Sequence, residues 1–148
     1  MTLDLATLLD EREIGRALTR FARAMDDRDW ETARTILTND ATGELGTGPL
    51  AGPEAVIALI RQYLDGCGPT QHLLGNVLIE VTGDTAESRA YVSDMHLGAS
   101  DRRDLSFVTL GDYHDRWRRV DGQWRLAHRT KLNHGHKGDF AVFGLDLG

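Results

Sequence analysis

The sequence predicts an α+β fold, with helices in its first half and an antiparallel meander of strands in its second. Three observations carry this. Apolar residues recur at helical spacing as far as Gly66. Beyond Gly68 the apolar runs take the two-residue alternation of strands. Asp121-Gly122 separates two such runs, which is a hairpin signal.

In order along the chain, the first helix is expected to open at Asp10, because Asp10 and Glu13 have the spacing of a capping box. Ile14, Ala17, Leu18, Phe21 and Met25 then make one apolar face. A second, short helix follows Asp29 and buries Trp30, Ala33, Ile36 and Leu37. The Gly-rich stretch ATGELGTGPLAG holds one short strand and a turn. A third helix, GPEAVIALIRQYLDGCG, has Pro53 in its first turn and Gly66 as its stop. The strands are HLLGNVLIEV, AESRAYVSDMHL, LSFVTLGDYHDRWRRV and WRLAHRTKL, with turns at TGDT and VDGQW. The chain reads as one domain over 1–148, with a core of about 10–132. Its tail, 133–148, is irregular and is expected to drape over an opening as a lid.

Composition excludes several function classes. The net charge of −6 and a pI near 5.4 do not court nucleic acid or an anionic membrane. The arginines are dispersed and mostly adjoin acidic residues, as in DERE and DRRD, so they read as solvated surface. One cysteine, Cys67, builds neither a disulfide framework nor a zinc site. The start, MTLDLATLLDER, is acidic where a secretory signal is basic, and no apolar run approaches the ~20 residues of a membrane span, so the expected location is the cytoplasm.

Polar residues interrupt the apolar faces at a few places. In AESRAYVSDMH the two-residue period puts Asp94 and His96 on the side of Ala86, Ala90 and Val92. Phe107, Thr109, Gly111, Tyr113, Asp115 and Trp117 share the next strand's inner face. Asp26 lies one turn beyond Ala22, beside the core stripe of the first helix, and His72 heads an apolar run. Together these describe a lined pocket in a sheet, closed on one side by helices. Each has a plainer reading: His72 as a satisfied core histidine, Asp26 as a helix cap, Asp94 as the buried partner of an Arg. His134 and His136 have ligand spacing but sit in a Gly-rich stretch that is expected to be solvated.

The run MDDRDW after a long helix, then GPEAV, QHLLGN and YHDRWRRVDGQWRL, resembles the SnoaL-like branch of the nuclear transport factor 2-like superfamily over Glu11 to Leu132. Within it the pattern is most similar to scytalone dehydratase, and it also resembles hexachlorocyclohexane dehydrochlorinase and bile-acid dehydratase. The resemblance implies a cone-shaped barrel of a strongly curved mixed sheet with three N-terminal helices packed on it. It also implies a homo-oligomer, a trimer or a dimer. By position, the catalytic aspartate matches Asp26 and the two histidines match His72 and His96. The dehydratase's two water-holding tyrosines fall on Met25 and Leu45, and its serine and asparagine on Gly111 and Tyr113, so this pocket is the more apolar. Tyr113 is then the replacement hydroxyl, and Phe107 and Trp117 share its face.

The expected function is a cofactor-independent lyase, a dehydratase or related β-eliminase, acting on a hydrophobic cyclic polyketide, aromatic, terpenoid or steroid-type molecule without a metal. An imidazole with a reference pKa of ~6.5 is unprotonated yet basic near neutrality, and a carboxylate on its other nitrogen orients it. His72 is therefore the expected base, Asp26 its partner, and His96 the group that binds or protonates the leaving group across the pocket. The alternatives are a polyketide cyclase or isomerase on the same scaffold, and a non-catalytic ligand-binding domain or oxygenase small subunit.

Overall fold

The computed structural model describes residues 4–145; the last three residues of the expected tail lie outside them. It contains three α-helices, α1 (Leu5–Asp26), α2 (Trp30–Ile36) and α3 (Pro53–Leu64). Six strands follow or intervene: β1 (Leu37–Glu44), β2 (Pro49–Ala51), β3 (Cys67–Thr82), β4 (Thr85–Gly98), β5 (Ser106–Val120) and β6 (Gln123–Gly138). They form a single mixed sheet of order β2-β1-β6-β5-β4-β3, in which only the β1–β6 pairing is parallel.

The apolar face of α1 that the sequence outlines, Ile14 to Met25, is buried. It packs with Ala33 and Ile36 of α2, with Val56, Ile57 and Leu64 of α3, and with Trp117, Trp124 and Leu126 of the sheet. The hairpin at Asp121-Gly122 has positive φ at both residues, 50° and 77°, the backbone that a tight turn between right-twisted strands requires.

Two expectations about element bounds are corrected. The first helix starts at Leu5, capped by the Asp4 carboxylate on the Thr7 N–H at 2.8 Å. Asp10 and Glu13 lie inside it and are used in tertiary contacts: Asp10 accepts from Arg119 and from the Trp124 indole, Glu13 from the Trp124 backbone N–H. The tail is not irregular throughout either. β6 runs on to Gly138 because β5 pairs with it as far as Phe107↔Gly138, satisfying backbone groups that a loop would leave to water. Only then does the chain turn, through a 3-10 helix at Phe140–Phe143.

The long pairing of β5 with β6 is not regular. Trp117 pairs with Leu126 but Arg116 with His128, so Ala127 is skipped, and a second slip skips His134. Each bulge reverses the in-out alternation of β6. Arg129 and Lys131 thereby face the interior next to β5, on the same side as Leu126.

Candidate active site

Asp26 ends α1, and the chain leaves the helix through Arg28 with φ of 55°. The Arg28 guanidinium holds this corner together. It donates to the carbonyls of Met25, Asp26, Leu64 and Gly68, and to the Thr70 hydroxyl at 2.8 Å. The Thr70 hydroxyl in turn donates to Asp26 Oδ1 at 2.9 Å. The other carboxylate oxygen accepts the His72 backbone N–H at 3.0 Å. Burial by itself would raise the Asp26 carboxyl, but the hydrogen bonds from the His72 ring, the His72 backbone and Thr70 outweigh it and hold the group below its ordinary value. An ionised Asp26 only accepts, so the 2.6 Å contact with His72 Nδ1 is a donation from the ring. Neutral His72 therefore has its lone pair on Nε2, and its side chain is only 5% exposed.

His96 lies beside His72 rather than across the pocket, with ring centroids 5.8 Å apart. Strand pairing causes this, since β3 and β4 are neighbours and His96 is opposite Thr70. His96 Nδ1 is 3.0 Å from the Phe107 carbonyl, which accepts only, so this ring too presents Nε2 as a lone pair. Burial lowers its pKa, and the nearby Asp94 only partly offsets that. A ring held neutral in this way is a poor proton donor near pH 7.

Between the two histidines stands Asp94, 2% exposed. It is not the partner of an Arg, the plainer reading of the sequence. Lys131 donates to its Oδ2 at 2.7 Å and the Thr109 hydroxyl donates to its Oδ1. Burial would raise the Asp94 carboxyl, but the Lys131 ammonium and these hydrogen bonds keep it below its usual range. The His72 and His96 Nε2 atoms are 3.8 and 3.9 Å from Asp94 Oδ2, beyond hydrogen-bond length.

His72, Asp94, His96, Thr109 and Lys131 line a cavity of ≈ 260 Å³, whereas Asp26 stands behind His72 and is not among the lining residues. Met25, Leu45, Phe107 and Tyr113 are on its wall, with His72 and His96. Gly111 and Trp117 are not among the lining residues. A side chain at Gly111 would meet Val92 Cγ1 at 2.9 Å and Lys131 Cε at 3.0 Å; its bareness is what lets the Lys131 stem cross β5. Trp117 lies farther along β5 in the helix-covered core, its indole N–H donating to Ser88 at 2.8 Å. The apolar wall is completed by Ile60 and Tyr63 of α3 and by Phe140 and Phe143 of the terminal turn. Burial pushes the Tyr113 phenol above its ordinary pKa, so the hydroxyl stays protonated.

Sequence reasoning missed Lys131, the central position of Asp94, and the buried Arg129–Asp115 pair, whose two bonds are 2.9 and 2.8 Å. His136 is exposed, as expected, but its ring also stacks on Phe107 at 5.1 Å and lines the cavity, which was not foreseen. The signal for Asp94 was present, since the period placed it inward beside His96. For the β6 residues there was none, because the bulges that turn them inward leave no mark in composition.

Residues 6–130 match the family model described as the SnoaL-like domain. An uncharacterized protein of Mycobacterium tuberculosis (strain H37Rv) is 31% identical over 133 residues, covering 87% of this chain and 88% of the relative. Among solved structures, the type 3 hexachlorocyclohexane dehydrochlorinase of Novosphingobium barchaimii LL02 superposes with a TM-score of 0.81. It is 19% identical, over 93% of this chain and 94% of that one. A proposed scytalone dehydratase of Novosphingobium aromaticivorans DSM 12444 superposes with a TM-score of 0.79. It is 21% identical, over 88% and 87% of the two chains. At these identities the structural likeness is one of fold.

Proposed function

The chain belongs to the SnoaL-like domain family, with a nuclear transport factor 2-like fold, and on that basis we propose that it is a cofactor-independent lyase acting on a small hydrophobic cyclic molecule. The observation that carries this reading is the Asp26–His72 pair, in which Asp26 engages Nδ1 and leaves Nε2 of a ring on the wall of a largely apolar cavity. Two structural neighbours are named for eliminations, one of hydrogen chloride and one of water.

In this reading His72 Nε2 takes a proton from a substrate carbon, the C–H electrons become the new double bond, and the β leaving group departs with the electrons of its bond. Asp26 stabilises the imidazolium that forms. Lys131, rather than the neutral His96, is the group suited to donate a hydrogen bond to the leaving atom, and Asp94 holds it in place. The Tyr113 hydroxyl supplies a neutral donor for a substrate oxygen. The charges of Lys131 and Arg129 are each matched by a carboxylate, which favours an uncharged substrate. The terminal turn with Phe140 and Phe143 serves as the cover of the cavity.

A panel of hydroxylated and halogenated ring compounds, read by mass spectrometry, tests this. A product lighter by water or hydrogen halide marks elimination, and an isomeric product marks the cyclase or isomerase alternative. His72→Ala should lose about 10²–10⁴ of the rate, the usual share of a general base. Turnover that persists in that variant removes His72 from the mechanism. We also read the outer face of the sheet as a self-association surface for a second copy of the chain, since Leu73, Tyr91 and Leu110 are each more than half exposed there on adjacent strands.

A further inference from the structure

The two imidazoles and the carboxylate at the cavity wall have a second property that the elimination does not use. One donor atom from each of His72, Asp94 and His96 lies within 4.8 Å of the other two, and both Nε2 atoms approach Asp94 Oδ2. Both histidines have their other ring nitrogen committed, His72 to the Asp26 carboxylate and His96 to the Phe107 carbonyl. That is the arrangement that fixes the tautomer of a metal-ligating histidine and aims its lone pair. Asp94 is likewise held, its Oδ1 receiving the Thr109 hydroxyl. Three buried donors with their supporting hydrogen bonds in place, and a side open to the cavity, match the three-ligand site of a zinc-class ion that keeps one position for an outside ligand.

The distances also show what stands against an ion. The histidine nitrogens are 3.8 and 3.9 Å from Asp94 Oδ2, wider than ligands drawn onto bonds of about 2.0–2.2 Å, so the rings must move inward. Lys131 Nζ already occupies Asp94 Oδ2 at 2.7 Å. Its stem crosses Gly111, so the ammonium has the length to swing into the cavity when displaced.

We propose that His72, Asp94 and His96 form a binding site for one divalent transition ion of the zinc class, for which the Lys131 ammonium is the built-in competitor. Two neutral imidazoles and one carboxylate suit Zn²⁺ and disfavour Mg²⁺ or Ca²⁺, which take oxygen ligands. An ion seated there takes the lone pair of His72 that proton abstraction requires, so ion binding and the proposed elimination exclude each other. The binding itself does not rest on the lyase reading.

Isothermal titration of the whole chain with Zn²⁺ alone, repeated in competition with a chromogenic chelator, tests it without any substrate. The wild type should bind one ion per chain, and Mg²⁺ should give no such site. His96→Ala and Asp94→Asn should each weaken Zn²⁺ by at least tenfold. Lys131→Met should strengthen it by at least tenfold, an effect that stray histidine binding would not produce. His134→Ala should leave the affinity within about twofold. Far-UV circular dichroism and thermal melting select the variants that remain folded. The proposal is overturned if the wild type has no one-to-one site, if His134→Ala abolishes binding, or if a folded Lys131→Met binds no tighter.

Discussion

At His96 a buried imidazole donates from Nδ1 to a backbone carbonyl and meets the Phe143 ring at 4.9 Å. Burial disfavours a second proton more than the nearby Asp94 and the Phe107 carbonyl favour it, so the folded state resists protonation more than the unfolded chain does. As pH falls through the unfolded value of ~6.5, the unfolded state gains protons first and stability drops until the lowered folded value is passed. The melting temperature should therefore fall as pH drops through about 6.5. His96→Asn, whose amide can still donate to the Phe107 carbonyl, should flatten this fall; an unchanged slope would place its cause elsewhere. Asp26 acts at lower pH. Its folded pKa is depressed, so its contribution is present above its unfolded value of ~3.9 and is lost as pH falls through the folded one.

Between elements, the bulged seam of β5 and β6 decides which side chains become chemistry. Past Ala127 the strand turns Arg129 inward, where it forms a doubly bonded pair with Asp115 and lies 3.8 Å from the centroid of the Tyr113 ring. Burial disfavours the Arg129 charge, but the Asp115 carboxylate more than compensates and raises its pKa. Removing one partner of such a pair leaves a buried charge alone, which typically costs about 3–5 kcal/mol. Asp115→Asn should lose stability of that order in urea denaturation, with m unchanged. A loss below about 1 kcal/mol would mean that the guanidinium finds water or another acceptor. At the other end of the site, Arg28 ties the end of α1 to α3 and β3, which is why Asp26 and His72 meet although 46 positions separate them.

For the whole molecule, the sheet has two unlike faces. The inner one is covered by the helices and contains the cavity, while the outer one exposes Leu73, Tyr91, Leu110 and Leu132 along neighbouring strands. A second copy of the chain is the proposed cover. Light scattering after size exclusion should report an oligomer, and Tyr91→Lys with Leu110→Lys should shift it to monomer while the circular dichroism spectrum stays the same. A monomeric wild type would sink this reading. No helix among the described residues is long and apolar enough to cross a membrane.

The sequence by itself determined the α+β class, the apolar face of α1, the Asp-Gly hairpin and the inward direction of Asp94 and His96, because these follow from local periods and turn chemistry. The family resemblance singled out Asp26 and His72 as a pair, and the structure brings them to 2.6 Å. Only the tertiary structure decided the rest. Asp10 and Glu13 look like a cap until Arg119 and Trp124 are brought to them from far along the chain. Trp117 shares its strand face with Tyr113, yet lies too far along β5 to reach the cavity. Lys131 and Arg129 were illegible because a bulge is set by pairing between strands, and one skipped residue turns the side chains after it to the opposite face as far as the next bulge.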